Sequence, residues 1–230
     1  MKKEKIAVLS LGGSMINGKN GLDTEFLKKF KAFILQEIKN GYRFVIVCGG
    51  GRVCREYQDA ARAVGLNKSS DLDWIGIHTT HFNANFMKGI FGKLSHSEIV
   101  RSESDKFKWT SKLLFSGGWV PGHSTDFDAV VLAKRYGAKT VINLSNIEYV
   151  FDKDPNKFKD AVKIEKISWK DFRKIVGNKW APGANAPFDP IASREAEKNK
   201  FKVVVMNGKN LGEVSKVLKG EDKIIGTIIS

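Results

Sequence analysis

FVIVCGGGRVCREY, residues 44–57, holds a strand, a turn and a helix start in one short run. Phe44 to Cys48 is unbroken apolar sequence, as a strand buried on both faces requires. Gly49-Gly50-Gly51 turns the chain. Arg52 to Val64 then reads as a helix, with Gly65 as its stop. The same order occurs upstream. Ile6 to Leu11 reads as a strand and runs into Gly12-Gly13-Ser14. Thr24 to Asn40 places Phe26, Leu27, Phe30, Phe33, Ile34 and Ile38 on one helical face, and Gly41 closes it. Two strand–glycine–helix units in succession predict a parallel sheet covered by helices on both faces.

The alternation continues. Asp73 to Phe91 is expected to be helical, Lys112 to Phe115 a strand entering Gly117-Gly118, and Asp126 to Tyr136 a helix. Thr140 to Leu144 reads as a strand, and Glu148 to Val162 as a loop with a short hairpin. Ser168 to Val176 is a helix with Ser168 as N-cap and Asp171 in its first turn. A helix at Asp189–Asn199, a segment at Phe201–Met206, a short helix near Asn210–Leu218 and Lys223–Ile229 close the chain. The expectation is one α/β domain over residues 1–230, a three-layer αβα sandwich with a mostly parallel central sheet.

The chain has 230 residues, 39 Lys and Arg, 25 Asp and Glu, and a formal net charge of +14. Such a surface is solvated, attracts anionic substrates, or binds nucleic acid. The lysines are spread along the chain and form no basic arm, which argues against nucleic acid. Cys48 and Cys54 form no disulfide framework or CxxC site, so a reducing compartment is expected. The apolar run after Met1–Lys5 is too short for a signal peptide or a membrane span, and localisation defaults to cytoplasm.

Three glycine-rich turns, at Gly12-Gly13, Gly49-Gly50-Gly51 and Gly117-Gly118, point to chemistry on anions. Glycine lets a backbone approach closely, and clustered N–H groups at a helix start bind phosphate. Several such turns at one sheet edge suit transfer between two phosphorylated ligands. Gly13 to Lys19, GSMINGK, matches a Walker A spacing. Asn20 stands where Ser or Thr should follow, however, and the helix begins only near Thr24, so that reading is rejected. His78 and His81 are spaced HxxH without the zinc-protease glutamate, and no GxSxG elbow occurs.

Six segments in order resemble the archaeal-type uridylate kinases of the amino-acid-kinase family. They are SLGGS (10–14), CGGGRVCREY (48–57), DWIGI (73–77), GGWVPGHSTD (117–126), NLSNIEYVFDKDP (143–155) and NAPFDPIA (185–192). The resemblance implies the amino-acid-kinase fold, with an acceptor-binding lobe at about 1–137 and an ATP-binding lobe at about 138–230. It implies magnesium-assisted transfer from ATP to UMP, and a homo-oligomer, a hexamer built from dimers. Gly13 and Ser14 would contact ATP phosphates, Gly50 would approach UMP and Gly51 ATP, and Arg55 would bridge the phosphates with its charged fork. Asp73 would accept hydrogen bonds from the UMP ribose. Trp119, Val120, Pro121, Gly122, His123, Ser124 and Thr125 would surround UMP. Ser145, Asn146, Phe151 and Asp154 would hold the ATP nucleoside. Asp126 would orient a magnesium-bound water, and Asp189 would organise the phosphate region. Four of these residues have a plainer reading: Asp73 and Asp126 as helix caps, Asp154 as a turn residue and Arg55 as an exposed helical cation.

The sequence departs from the family pattern in places. Ser10 stands where many members carry Lys, and Arg52 or Arg55 is a candidate to compensate. Tyr149 replaces a Gly, which matters if that turn needs a positive φ. His81 replaces an Arg, and Trp119 takes a place that is often Thr. Two other functions remain in view. One is a same-fold kinase for a small acid or isopentenyl phosphate, although Gly49 to Arg55 lacks the His usual in the latter. The other is a nucleotide-binding regulatory protein without turnover.

Overall fold

The computed structural model describes residues 5–18, 20–180 and 186–230. Lys19 of the Walker-like run and Asn185 of the last motif lie outside them. The elements in chain order are β1 (Lys5–Leu11), α1 (Gly13–Ile16), β2 (Asn17–Gly18), β3 (Gly21–Leu22), α2 (Thr24–Lys39), β4 (Tyr42–Cys48), α3 (Gly51–Ala63), α4 (Ser69–Phe91), β5 (Leu113–Ser116) and α5 (Thr125–Tyr136). There follow β6 (Thr140–Ser145), β7 (Val150–Phe151), β8 (Lys163–Ile164), β9 (Lys166–Ile167), α6 (Trp169–Val176), α7 (Pro190–Lys198), β10 (Lys202–Asn207), α8 (Leu211–Lys219) and β11 (Thr227–Ile229).

Seven strands form one sheet in the order β5-β4-β1-β6-β10-β11-β9. Neighbours from β5 to β10 are parallel, and β11 runs antiparallel to β10. The strand period of two sorts side chains to opposite faces. Leu9, Leu11, Phe44, Ile46 and Cys48 join Phe30 and Ile34 of α2 and Met87 of α4 in one core. Val8, Val45 and Val47 join Ala129 and Leu132 of α5, Phe172 of α6 and Ala192 of α7 in the other. The three-layer expectation holds.

Most expected elements are present within a residue or two. α4 begins at Ser69 rather than Asp73, because its first turn is polar and carries no apolar period. Of the closing segment Lys223–Ile229, only Thr227–Ile229 is a strand. The two-residue strand β9, which pairs with β11, was unforeseen, since so short a strand has no periodicity to read.

Candidate functional site

Loops from the carboxyl ends of β1, β4, β5 and β6 meet in one cleft. The chain steps from β1 through β4 to β5 on one side, then crosses to β6 and β10 on the other. Open α/β sheets bind ligands at such a reversal.

Two glycine turns form the floor. Gly12 N donates to Leu144 O at 2.8 Å, and Gly49 N to Leu11 O at 2.9 Å. Gly13 and Gly51 meet backbone to backbone. A Cβ on Gly13 would lie 2.1 Å from Gly51 N, and one on Gly51 would lie 2.5 Å from Gly13 O. Gly51 also has φ +73°. Both positions therefore require glycine. α3 starts here with Gly50 at its N-cap and no side-chain cap, which leaves first-turn N–H groups open to an anion.

Above the floor, three segments converge on Asp126 of α5. Its Oδ1 accepts from Ser10 Oγ of β1 and from Asn143 Nδ2 of β6, both at 2.8 Å. Its Oδ2 accepts from Asp189 N, before α7, at 3.3 Å. Asp126 is not a cap, because Ser124 caps α5 by accepting from Asp126 N. Burial raises the Asp126 pKa from 3.8 to about 6, with the bond from Ser10 opposing the rise and the Asp189 charge adding to it. Asp189 does cap its helix, accepting from Ile191 N and Ala192 N, and its other oxygen accepts from Ser124 N. Asp128 lies fully buried behind, and burial, then the charges of Asp189 and Asp126, hold its carboxyl well above the usual range.

The loop after β5 is held by side chains of α4. Gly118 N donates to Thr80 Oγ1 and His81 Nε2 donates to Gly118 O, each at 2.7 Å. Burial lowers the His81 pKa, which suits a neutral ring donating through Nε2. Gly122 N donates to Asp73 Oδ2 at 2.9 Å. Asp73 sits inside α4, buried, and caps nothing. Asn83 Nδ2 donates to Gly49 O at 2.7 Å, so α4 secures the second glycine turn as well. Trp180 Nε1 reaches across from beyond α6 to both oxygens of Asp73 at 3.4 Å.

Two cavities open here. One, of about 280 Å³, is lined by Gly13, Gly50, Gly51, Asp73, His123, Ser124, Thr125, Asp126 and Ser145, with Trp180 on its wall. The other, of about 730 Å³, is lined by Arg52, Asn146, Asn207 and Lys209 among others. They meet at Ser14 and Arg55, which line both. Arg52 Nε is buried there without a partner.

The remaining sequence candidates lie elsewhere. Trp119 is buried, its Nε1 donating to Ser116 Oγ at 3.1 Å. Val120 and Pro121 line neither cavity, and Phe151 and Asp154 do not either. Asp154 accepts from Asn156 N, as a turn residue does. Lys200 is the one non-glycine with positive φ among the described residues, so Tyr149 stands without strain, its ring under Lys163. His78 is exposed and stacks on Trp74. Asn143, Thr80, Asn83 and Trp180 were not singled out from sequence. Asn143 lay in a quoted motif, and Thr80 and Asn83 lie in the stretch THFNA around His81 that resembles a family pattern, but the contacts of all four are ones that only the fold creates.

The amino acid kinase family model matches residues 5–207. A uridylate kinase from Methanosarcina mazei is 35% identical over 219 residues, 94% of this chain and 92% of the relative. One from Methanocaldococcus jannaschii is 34% identical over 226 residues, 96% of this chain and 98% of the relative. The crystal structure of uridylate kinase from Archaeoglobus fulgidus superposes with a TM-score of 0.79 at 30% identity, covering 98% of this chain and all of that one.

Proposed function

The chain belongs to the amino acid kinase family, in its uridylate kinase branch, and from that premise we propose that it transfers the γ-phosphoryl group of ATP to UMP, giving UDP and ADP. The observation that carries this reading is the pair of cavities meeting at Ser14 and Arg55. Phosphoryl transfer needs two phosphate-bearing ligands in line, and a cation between them. UMP would occupy the smaller cavity, with its ribose at Asp73 and its phosphate near Gly50. The ATP phosphates would run along Gly13, Ser14 and Gly51, with Asn146 on the nucleoside side. Arg55 would bridge the two ligands, and Arg52 and Lys209 line the donor side, paired with Glu56 and Asp23.

In the step, an oxygen of the UMP phosphate attacks the γ-phosphorus, and the bond to the β-phosphate oxygen breaks. The attacking oxygen is already anionic, so no general base is needed. Asp126 does not take a proton from the acceptor. It holds Ser10, Asn143 and the start of α7 in register around the transfer point.

No three His, Cys, Asp or Glu residues cluster as a metal cage among the described residues. Asp126 lines the smaller cavity, and its carboxylate would suit Mg²⁺ carried by the nucleotide phosphates, holding it through water. When bound, the ion neutralises charge on the phosphoryl oxygens. The half at about 1–137 would then serve the acceptor, and that at about 138–230 the donor.

No helix among the described residues is long and apolar enough to cross a membrane. Action in the cytoplasm, where nucleotides are made, is part of the proposal. So is a homo-oligomer up to a hexamer. Trp74 and Phe82 of α4 and Tyr57 of α3 are large and exposed, as an interface between copies would leave them in one chain.

Purified protein with Mg²⁺ and ATP, assayed against UMP, CMP, AMP, GMP and isopentenyl phosphate, tests the reading. UDP as the main product supports it. Transfer to another acceptor, or nucleotide binding without transfer, overturns it.

A further inference from the structure

Asp73 holds one firm hydrogen bond, from Gly122 N at 2.9 Å, and a long three-centre contact from Trp180 Nε1 at 3.4 Å to both oxygens. That indole N–H points at the two-oxygen edge of the carboxylate. A vicinal sugar diol would use the same edge, one hydroxyl to each oxygen, in bonds of about 2.6 Å. The two cannot both have it. We propose that Trp180 holds the place of the acceptor's ribose on Asp73, and that UMP binds by exchanging its diol for the indole. This rests on the reading of Asp73 as the ribose partner.

The exchange has a direction. A single donor shared between two oxygens is a weak contact, and two short O–H donors to a charged acceptor outmatch it. Until the sugar arrives, the indole keeps a buried carboxylate from being left without that donor, a state that is costly in a partly closed site. Trp180 follows α6, and Ala186 and Pro187, which precede Asp189, line the same cavity.

Trp180→Phe keeps the ring and removes the N–H. Calorimetric titration of the wild type and this variant with UMP, and with 2′-deoxy-UMP, tests the exchange. Loss of a competing neutral-to-charged hydrogen bond should tighten UMP by about fivefold. The gain should be smaller for the deoxy sugar, whose lone hydroxyl leaves room for the indole to stay. Wild-type tryptophan emission should change with UMP, and the change should be smaller in the variant, which keeps the other four tryptophans. UMP affinity that is unchanged or weaker in Trp180→Phe overturns the exchange while leaving the acceptor reading intact. Failure of UMP to bind the wild type overturns both.

Discussion

The second glycine turn and the loop after β5 both end strands of the same sheet, yet they are built by different means. At Gly49-Gly50-Gly51 the chain is placed chiefly by contact with another backbone, Gly13 against Gly51 with no space for a Cβ, and one side chain, Asn83 of α4, adds to it. At Gly117 to Thr125 it is placed by side chains from elsewhere: Thr80, His81 and Asp73 of α4, and Asp189 at α7. A backbone contact is rigid and all-or-none, because no rotamer can relieve it. A side-chain clamp can loosen one bond at a time. A kinase gains from this division if its phosphates need a fixed cradle and its acceptor must enter and leave.

The largest effect should come from breaking the first kind. Gly13→Ala puts a methyl 2.1 Å from Gly51 N. Overpacking against backbone should cost about 3 kcal/mol or more, with loss of nearly all UDP formation and a clear fall in Tm by thermal unfolding. Gly122→Ala is the control. That glycine has φ +106° but nothing within 4 Å of a new Cβ, so backbone strain alone should cost about 1 kcal/mol. Similar damage from both variants would remove the distinction.

Asp189→Asn attacks the second kind. One amide oxygen can still cap α7, but the other group becomes an NH₂ facing the Ser124 N–H. Donor against donor in a buried site costs about 1–3 kcal/mol. KM for UMP should rise about tenfold or more, with KM for ATP changed much less. Equal changes in both would show that the loop is not specifically an acceptor clamp.

The smallest effect is in pH dependence. Asp126 titrates near 3.8 when unfolded and about 6 when folded. Between those values the folded chain holds a proton that the unfolded chain has lost. Its contribution therefore lowers stability as pH rises from about 4 to about 6, and is constant above that. Activity should fall on the acid side of about 6 as the carboxylate that orders Ser10 and Asn143 is neutralised. Ser10→Ala removes the strongest bond favouring the ionised form, so this limb should move to higher pH in a kcat/KM profile. An unmoved limb would assign it to another group, with Asp128 the next to examine.

His81 shows how a departure in sequence is absorbed by structure. The resemblance marks it as a lost Arg, yet its ring anchors Gly118 and so performs the loop's positioning. Ser10 is similar. It appears as a missing cation, but its hydroxyl takes a buried place on Asp126 that a longer charged chain would disturb. Tyr149 raised a question of backbone strain that the turn's φ values answer.

Sequence by itself determined the layered α/β order, the positions of nearly all long helices, and the glycines at the strand ends. These follow from local periodicity and from the dihedral freedom of single residues, which neighbours in the chain reveal. It also marked Arg55, Asp73, Asp126 and Asp189 through the order of their motifs. Only the tertiary structure decided which oxygen of Asp126 meets Ser10 and Asn143, that Asp189 caps and Asp73 does not, and that Trp180 lies on Asp73 from 107 residues away. Those pairings depend on strand order and on loops brought together by the sheet, and no spacing along the chain encodes a hydrogen bond made across it.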